Sequence, residues 1–491
     1  MTQPSILSPL GADPHECGYC KSGRDTSISY GAWAHNLTCD DYQALIDRGW
    51  RRSGKYLYKP LMHKTCCPQY TIKLDALAFR PSKQHRQVLN KLRRFLDGEW
   101  VPAAADRVLG GDAGGGEGPE PGHNADVPAV APVKEDKAVV VTKKRRTEPA
   151  ADQQAPVVAT AAVEPQQNLS HGPSRGGKKH AALATKDAPP KPPKPPKNTP
   201  FDLDHAIADL VGKQHRKHSF RTTLEPASFT DAKFALYKKY QIAIHHDPPA
   251  KVTPRGFERF LIDSPLSSPG KVARSSSTTS PLVGSVTPVA QPRFGSFHLC
   301  YYLDTQLIAV SVIDLLPLCV SAVYFFYDPD FSFLSLGKVS AMVEMRLARD
   351  ERRALPNRVV ERESDRMKWY YMGYYLHKCQ KMVYKAQFRP SFLLDPASYV
   401  WVPYEEAVGV LDEAVDGFTT LVELRVSRKT APKGLGERVV EEEEADRLWI
   451  YEDGYVVPLK EFDDQETRPF VVECAALMDA ETAAHTVFTP R

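Results

Sequence analysis

Four cysteines near the N-terminus form two short motifs that could hold a metal. One motif is a C-x-x-C step and the other is an adjacent pair followed by proline. The C-x-x-C spacing lets two thiolates converge on one ion, and four thiolates suit either zinc or an iron–sulfur cluster. Because adjacent side chains tend to diverge, either the pair bends sharply or one member yields to His15 or His63. Buried or reactive thiols without metal are the alternative. The predicted ligands are Cys17, Cys20, Cys66 and Cys67.

Two later stretches have residues suited to phosphate and nucleic-acid bases. The segment Ser335–Lys338 leads into a predicted helix, and free N–H groups at a helix N-terminus can hold phosphate. A basic run follows the segment of paired tyrosines at 370–375, and interleaved aromatic rings would allow base stacking. A solvated basic face is the alternative for this run. Its members are Lys378, Lys381, Tyr384, Lys385, Phe388 and Arg389.

The elements that must position these residues follow an α+β order. Hydrophobic periodicity and β-branched or aromatic runs predict strands at 297–303, 307–313, 319–327 and 369–375. Helices are predicted at 82–96, 231–244, 253–261 and 335–349. The apolar stretch 307–327 includes Asp314 and Pro317, which are costly in lipid, so two buried strands are favoured over a membrane span. Three strands, a helix and a further strand predict an α+β fold for this half of the chain.

The distribution of aromatic residues divides the chain. No Phe, Trp or Tyr lies between Trp100 and Phe201, and this segment contains 16 of the 41 prolines. Such a segment cannot bury enough apolar surface to offset chain entropy. We therefore predict a cysteine-rich module at 1–100, a disordered linker at 101–200 and a catalytic region at 201–430. A disordered loop is expected at 267–292 and a charged extension at 431–491.

Charge and cysteine usage limit the cellular setting. The net charge of +4 permits a nucleic-acid partner without arguing for one. No signal peptide is visible, and the nine cysteines are an odd number, so disulfides are not expected. The run Lys143–Arg146 is either a nuclear localisation patch or a solvated charge run. We expect a cytoplasmic protein, with nuclear entry as the open alternative.

Seven stretches, in the same order along the chain, resemble the eukaryotic arginyl-tRNA–protein transferase family. They span most of the segments predicted to fold, whereas the linker and the end of the chain show no resemblance. The stretches are Cys17–Cys20, Leu45–Gly54, Cys66–Ile72, Leu307–Pro317, Ser321–Asp330, Leu334–Lys338 and Tyr370–Tyr375.

The resemblance implies an activity, a fold and a set of partners. Members of that family move arginine from charged tRNA to the α-amine of proteins beginning with Asp, Glu or oxidised Cys, which marks them for ubiquitin-dependent degradation. It implies a GNAT-like acyltransferase fold in the C-terminal half, and an iron–sulfur cluster or another metal at the four cysteines. The expected partners are arginyl-tRNA and acidic protein N-termini. No membrane, coenzyme A or nucleotide cofactor is expected, and the chain is expected to be a monomer.

The implied reaction assigns candidate roles to particular residues. The arginyl guanidinium needs a carboxylate, for which Asp314 and Asp328 are candidates, although either could instead stabilise a turn. The acidic acceptor needs a cation, for which the candidates are His298, Lys338, Arg346 and Lys378. His298 could equally be a core histidine. The catalytic candidates are Asp314, Asp328 and His298. The candidates for binding substrate or tRNA are Ser335, Gly337, Lys338, Arg346, Tyr371, Lys378, Lys381, Tyr384 and Lys385.

Two rival functions remain open at this point. An acetyl-CoA-dependent acetyltransferase needs a pyrophosphate-binding loop, and the nearest match, Ala431–Gly436, has alanine at its first position and lies in the charged extension. A metal-dependent adaptor that binds degrons or RNA without chemistry fits the cysteines and the basic run. The stretches around Asp314 and Leu334–Lys338 have no purpose in such an adaptor.

Overall fold

The computed structural model describes most of the chain outside the predicted linker. The predicted linker at 101–200, with the run at 143–146, lies outside the described residues, as does 268–292 of the predicted loop. The described ranges are 3–23, 25–100, 201–212, 216–267, 294–354, 366–414, 417–422, 425–432, 434–452, 454–464 and 466–490.

The described residues form a mixed α+β structure, as predicted. The strands are β1 (Ser5–His15), β2 (Ser27–Thr38), β3 (Arg51–Ser53), β4 (Tyr56–Pro60), β5 (Tyr70–Asp75), β6 (Phe220–Pro226), β7 (Leu266–Ser267), β8 (Gly295–Leu303), β9 (Gln306–Leu315), β10 (Cys319–Tyr327), β11 (Trp369–Tyr375), β12 (Ser391–Leu394), β13 (Trp401–Pro403), β14 (Trp449–Glu452), β15 (Tyr455–Pro458) and β16 (Thr486–Phe488).

Short helices connect many of these strands. The α-helices are α1 (Cys39–Ile46), α2 (Lys83–Leu96), α3 (Leu203–Gly212), α4 (Asp231–His245), α5 (Pro254–Phe257), α6 (Leu336–Ala354), α7 (Gln380–Val383), α8 (Tyr404–Asp412), α9 (Glu442–Asp446), α10 (Arg468–Ala476) and α11 (Ala480–His485). A π-helical turn at Glu258–Ile262 extends α5, and 3-10 turns occupy Met62–Lys64, Pro329–Leu334, Tyr384–Gln387 and Leu459–Glu461. No helix within the described ranges is long and apolar enough to cross a membrane.

The strands make two sheets. The first has the order β15-β14-β16-β1-β2-β4-β3, with β7 beside β2. The second has the order β13-β12-β5-β11-β10-β9-β8-β6. Strand β5 lies between β11 and β12, so residues before 100 complete the second sheet. Strands β14 and β16, from the end of the chain, lie in the first sheet, where β16 pairs in parallel with β1.

These pairings revise the predicted division of the chain. The segments 1–100 and 431–491 are not separate units, because they share the first sheet and the earlier segment also supplies β5 to the second. The catalytic region at 201–430 likewise needs β5 for a continuous sheet. Composition could not show this arrangement, since strand pairing between distant segments leaves no local signal in the sequence.

The strands and helices of the second sheet follow the sequence closely. Strands β10 and β11 have the predicted bounds, and β9 and β10 are the buried antiparallel pair expected in place of a membrane span. Helix α2 begins after Ser82, whose hydroxyl accepts from the His85 N–H while the His85 side chain accepts from the Ser82 N–H. Such reciprocal capping satisfies two N–H groups that the first turn leaves free.

Candidate functional site

Strands β10 and β11 separate part-way along their length and form a fork. They pair in parallel only over Cys319–Ser321 and Trp369–Tyr371. Past these residues, the register of β10 against β9 shifts between Ala322 and Tyr324, and Gly373 on β11 adopts a positive φ of 71°. A bulge increases the local twist and bends its strand, so irregularities in both strands open a gap between them.

A cavity of about 20 Å³ lies at this fork. Ser321 and Val323 line it from β10, and Gly373 and Tyr374 line it from β11. The remaining walls come from the N-terminal sheet and from the segment after β11. They include Tyr19, Tyr42, Arg51, Arg52, Tyr58 and Lys385. The cavity therefore joins tyrosine rings with three cationic side chains.

Arg51 is a buried cation without a carboxylate partner. Its side chain enters from β3, and the residue is only 5% exposed. One terminal nitrogen donates to the carbonyls of Trp50 (2.6 Å) and Ile46 (3.3 Å), and the other donates to that of Gly373 (3.4 Å). No carboxylate of the described residues lies within 4 Å, and its Nε has no partner among them. A buried charge of this kind favours an anionic ligand, since an isolated ion is costly to desolvate.

Lys385 is the second uncompensated cation of the fork. It is 1% exposed, and its ammonium donates to the Tyr374 carbonyl at 2.6 Å. Burial lowers the pKa of Lys385 to about 7, and the positive charge of Arg51 acts in the same direction. The side chain was predicted as part of a basic run for tRNA. The structure instead turns it inward, so that near neutral pH it is poised between its charged and neutral forms.

Asp314 is already paired, so its predicted role as the carboxylate for the arginyl group needs correction. Its two oxygens accept from Arg52 Nε (2.8 Å) and Arg52 NH2 (2.5 Å), and Ser296 donates to it at 2.7 Å. Both charged side chains are almost fully buried. Although burial disfavours the charged guanidinium, the attraction of Asp314 prevails and the pKa of Arg52 is raised. Asp314 thus positions Arg52 at the wall of the cavity.

Asp328 and His298 lie away from the fork cavity in the described structure. Asp328 caps the 3-10 turn after β10 by accepting from the Asp330 N–H, and it is paired with Lys239 at 2.6 Å. His298 is buried on β8, with Nε2 3.1 Å from the Leu261 carbonyl. Burial lowers its pKa to about 4, so the ring is neutral. Asp328 therefore stabilises a turn, and His298 is a core histidine; these were the alternatives to their predicted site roles.

Part of the predicted nucleic-acid group lies around His85 of α2. Burial lowers the pKa of His85 to about 4, and Lys338 in the first turn of α6 acts in the same direction. The ring of His85 stacks on that of Phe388, with ring centroids 4.4 Å apart. Lys381 similarly contributes to lowering the pKa of His245, after burial as the main cause. These contacts bring the start of α6 and the basic run to the same region.

Other candidates of that group have different surroundings. Arg346 forms an ion pair along α6 with Asp350 at 3.2 Å, and exposed Lys378 points toward Gly417. Tyr371 is buried at the base of the fork, where its hydroxyl donates to the carboxylate of Asp47. Ser335 has a positive φ of 54° and ends the 3-10 turn before α6. Gly337, in the first turn of α6, and Tyr384, in the basic run, are both half-buried.

The four predicted cysteines form one cluster. Their sulfur atoms lie within 4.8 Å of one another, and those of Cys20 and Cys66 are 3.5 Å apart. The turn after β1 holds the first pair, with the Lys21 N–H donating to the Cys17 carbonyl at 3.0 Å. Four thiolates at about 2.3 Å from one ion would place sulfur atoms about 3.8 Å apart, so the group is suited to a metal. In the described residues it includes neither His15 nor His63.

The electrostatics of the cluster also fit a metal. Hydrogen bonding with Cys67 lowers the pKa of Cys17 to about 4, although burial opposes this shift. The same contact raises the pKa of Cys67 far above its usual value. One thiolate therefore suppresses ionisation of its neighbour, and a bound cation would allow all four sulfur atoms to ionise.

Tyr19 connects the cysteine cluster directly to the fork. It lies between Cys17 and Cys20 in the turn, and its side chain lines the fork cavity. Beside it, Tyr58 packs edge-on against Tyr374 of β11 with ring centroids 6.3 Å apart. The cluster and the candidate site therefore share a wall, which the sequence alone could not establish.

Comparison with known proteins identifies the family. The model described as "Arginine-tRNA-protein transferase, N terminus" matches residues 15–87, and the corresponding C-terminus model matches 232–395. An arginyl-tRNA–protein transferase 2 of Arabidopsis thaliana is 33% identical, covering 83% of this chain and 76% of the relative. This chain belongs to the arginine-tRNA-protein transferase family. Its members are aminoacyl-tRNA transferases, so membership favours an enzyme over an adaptor.

Two further relatives are also transferases by name. The arginyl-tRNA–protein transferase 1 of Drosophila melanogaster is 36% identical, over 83% of this chain and 84% of its own length. An aspartate/glutamate leucyltransferase of Campylobacter jejuni is 35% identical over 98 residues, which are 20% of this chain and 35% of the relative. The fork residues Arg51 and Arg52 fall within the stretch matched by the N-terminal family model.

Sequence reasoning passed over the residues that give the fork its charge. Arg51 and Arg52 stood inside one of the stretches that carried the family resemblance, but no role was assigned to them. Two adjacent arginines after Trp50, in a segment of strand character, were the available signal. The two-residue period of a strand would point one such arginine to each face, whereas in the structure both are buried and line the fork cavity, which only the sheet packing shows.

Proposed function

We propose that this chain transfers arginine from arginyl-tRNA to the α-amino group of proteins whose N-terminal residue is Asp, Glu or oxidised Cys. The proposal extends to the consequence: the added arginine marks the protein for ubiquitin-dependent degradation, in the cytoplasm and the nucleus, and the enzyme acts as a monomer. Family membership supports the chemistry, and the charge of the fork cavity supports the choice of acceptor.

The observation that carries the proposal is the pair of uncompensated cations at the fork. Arg51 and Lys385 are both buried and face the same cavity without a neighbouring carboxylate in the described residues. A guanidinium forms two parallel hydrogen bonds with a carboxylate, and such bonds are strengthened when water is excluded. The acidic side chain of the acceptor therefore binds Arg51, which replaces the cations that the sequence had suggested.

The reaction is aminolysis of an ester. The neutral α-amine attacks the carbonyl carbon that joins arginine to the terminal ribose, a carbon–nitrogen bond forms and the carbon–oxygen bond to the ribose breaks. The released ribose oxygen takes a proton, and the attacking nitrogen loses one. Lys385, with a pKa of about 7, accepts a proton from an α-ammonium group whose pKa is about 8.

The tRNA lies across the outer end of the fork in this proposal. Lys338 at the start of α6 and Lys381 in the basic run contact phosphate, and Tyr384 stacks on a base. Holding both substrates at one point supplies much of the acceleration, because the attack becomes effectively unimolecular. Strands β10 and β11 are parallel, helix α6 lies between them in the chain, and the strands separate at the fork. This arrangement supports a GNAT-like fold in which the acyl donor enters between the separated strands.

The four-cysteine cluster holds a metal beside the fork in this proposal. Cys17, Cys20, Cys66 and Cys67 are its ligands, and the group is an iron–sulfur cluster or a zinc ion that fixes the turn bearing Tyr19. The short sulfur–sulfur distances support a single ion, whereas the family resemblance supports the cluster. Metal analysis and an absorption spectrum of anaerobically purified protein separate the two, because only the cluster absorbs in the visible region.

Direct labelling tests the proposed function. Purified protein with radiolabelled arginyl-tRNA should label a peptide beginning with Asp or Glu, and the same peptide with an acetylated N-terminus should stay unlabelled. Leucyl-tRNA provides the control for the donor, because a relative is a leucyltransferase. Label on both peptides, on neither, or from leucyl-tRNA alone contradicts the proposal.

A further inference from the structure

A second cavity lies on the other side of the turn that precedes β3. Its volume is about 30 Å³, enough for two or three water molecules. Arg48 and Gly49 line it from that turn, whereas Arg51 lines the fork. The other walls come from β4, β5, the segment before β13 and the C-terminal part of the chain. They include Lys59, His63, Thr71, Tyr399, Leu435 and Leu477.

Two cations contact one tyrosine ring in this cavity. The Arg48 guanidinium lies 4.1 Å from the centre of the Tyr399 ring, and the Lys59 ammonium lies 4.5 Å from it. Lys59 is 7% exposed and donates to the Tyr399 hydroxyl at 2.6 Å and to the Leu477 carbonyl at 3.3 Å. No carboxylate lies within 4 Å of either cation in the described ranges. The buried Lys59 and the half-buried Arg48 therefore bring two like charges to one ring, an arrangement that an anion would stabilise.

The surroundings of Lys59 disfavour its charged form. Burial lowers its pKa well below the usual value, and Arg48 lowers it further. Glu437 acts in the opposite direction but does not reach ion-pair distance. An anion between the two cations would reverse this effect, because it stabilises the charged forms of both.

Three polar atoms on the cavity wall also have no hydrogen-bond partner in the described structure. They are Arg48 Nε, His63 Nε2 and Thr71 Oγ1, and each is buried. Thr71 as a whole is 2% exposed. Buried polar atoms are nearly always satisfied in folded proteins, so three in one small cavity indicate a missing polar ligand.

The backbone holds the tyrosine against the cations at some cost. Tyr399 has a φ of 58°, which is rare for a bulky residue, and its hydroxyl donates to the Gly436 carbonyl. Gly436 has a φ of 77° and no room for a side chain, because a Cβ would lie 2.4 Å from the Pro396 oxygen. Unfavourable conformations of this kind persist where the surroundings enforce them, often at binding sites.

We propose that this second cavity, built around Arg48 and Lys59, binds a phosphate group. Two cations and several converging donors suit a dianion with many acceptor oxygens better than a singly charged carboxylate. The cavity admits one such group, with any remainder of the ligand outside. The phosphate belongs either to a small free anion or to the backbone of an RNA. The site is separate from the fork and does not depend on the proposed reaction.

Calorimetric titration with inorganic phosphate, at constant ionic strength, tests the proposal. The full-length protein should bind one phosphate per chain at this site, and Arg48→Gln should weaken the affinity about tenfold or more through loss of charge-assisted contacts. Lys59→Met should do the same. Arg447→Gln is the control, since it removes an exposed cation that is ion-paired with Glu443 and lines neither cavity, and it should leave this phosphate affinity unchanged. Equal phosphate affinity in the wild type, Arg48→Gln and Lys59→Met overturns the proposal.

A second titration identifies the source of the phosphate. Uncharged tRNA is added to the wild type and to Arg48→Gln, with and without excess inorganic phosphate. If Arg48→Gln weakens tRNA binding and phosphate competes with tRNA, the site holds an RNA phosphate. If tRNA binding is unchanged while phosphate binding is weakened, the ligand is a small anion. Arg48 is only half-buried, so Arg48→Gln should fold and still test the proposal even if Lys59→Met fails to fold.

Discussion

The ion pair of Arg52 and Asp314 determines how the fork wall is held. Both side chains are almost fully buried, so neither charge is stable without the other. An aspartate that had been predicted to bind substrate therefore acts on another protein side chain. Replacement of Asp314 should therefore affect the stability of the fold rather than substrate binding alone.

Replacement of Asp314 by Asn should lower the free energy of unfolding by about 3–5 kcal/mol, because it leaves the Arg52 charge buried and unpaired. Urea-induced unfolding followed by circular dichroism measures the change. The double replacement Arg52→Met with Asp314→Leu should recover most of the loss, since it removes both charges. If Asp314→Asn has wild-type stability, the pair does not hold the wall as described.

Lys385 should impose a pH dependence on transfer. Below pH 7 its ammonium is charged and cannot accept a proton, and above pH 7 the neutral amine becomes available. The rate with bound acceptor should therefore rise with a midpoint near pH 7. Lys385→Met should slow transfer and remove this step, and Lys385→Arg should keep the charge without the titration. An unchanged pH profile in both variants would exclude Lys385 as the proton acceptor.

Individual residues could be predicted only where the local sequence shows their partners. The spacing of the four cysteines sufficed to predict their cluster. The same reasoning failed for Asp314 and Lys385, because their surroundings depend on residues that are distant in the chain. The position of Asp314 at the end of a strand was correctly read, but its partner Arg52 lies 262 residues earlier.

At the scale of elements, α6 is fastened to the sheet by a buried carboxyl group. Glu344 accepts from Ser311 of β9 (2.6 Å) and from the Tyr370 hydroxyl of β11 (2.7 Å). Burial raises the pKa of Glu344 to about 7 despite these two hydrogen bonds. Helix α6 is therefore linked to both β9 and β11, two strands of the second sheet.

This carboxyl group should make stability fall as the pH rises. Its pKa is higher in the folded protein than in the unfolded chain, so its stabilisation is present below about pH 4.5 and is lost as the pH passes 7. Glu344→Gln removes that dependence, and the stability difference from wild type should change by about 3 kcal/mol between pH 4.5 and 8. Unfolding at several pH values measures this, with exposed Glu443→Gln as the control. A constant difference across pH contradicts the prediction.

Most elements of the second sheet could be predicted, because their sequences are locally consistent. Strand β10 is rich in Val, Tyr and Phe and β11 is rich in Tyr, and the bounds of both were predicted to the residue. The separation of the two strands could not be predicted. It depends on bulges near Val323 and Gly373, and a bulge is defined by the partner strand as well as by its own sequence.

Over the whole molecule, the two ends of the chain complete one sheet. Strand β16 lies between β1 and β14, and Trp50 beside the fork donates to the Leu477 carbonyl at 3.1 Å. The predicted charged extension was therefore given too small a role. Glu441, Glu442 and Glu443 are exposed, but the residues after them pack against the N-terminal sheet.

Removal of the end of the chain should consequently affect the entire protein. A chain ending at Met478 lacks β16, including buried Phe488, and leaves β1 without its parallel partner. Its midpoint of thermal unfolding should fall by about 10 °C or more. A chain ending at Thr489 is the control and should unfold like the wild type. Equal midpoints for the two truncated chains would show that β16 is dispensable.

The most direct test of the account is the acceptor preference of Arg51→Gln. Peptides beginning with Asp and Asn have nearly the same shape, and kcat/KM for arginine transfer to each is measured with the wild type and the variant. The wild type should prefer Asp about tenfold or more, as expected for a charge-assisted contact. Arg51→Gln should lose most of that preference, because kcat/KM falls for the Asp peptide and changes little for the Asn peptide. A folded Arg51→Gln enzyme with undiminished preference for Asp would contradict the claim that the fork reads the acidic N-terminus.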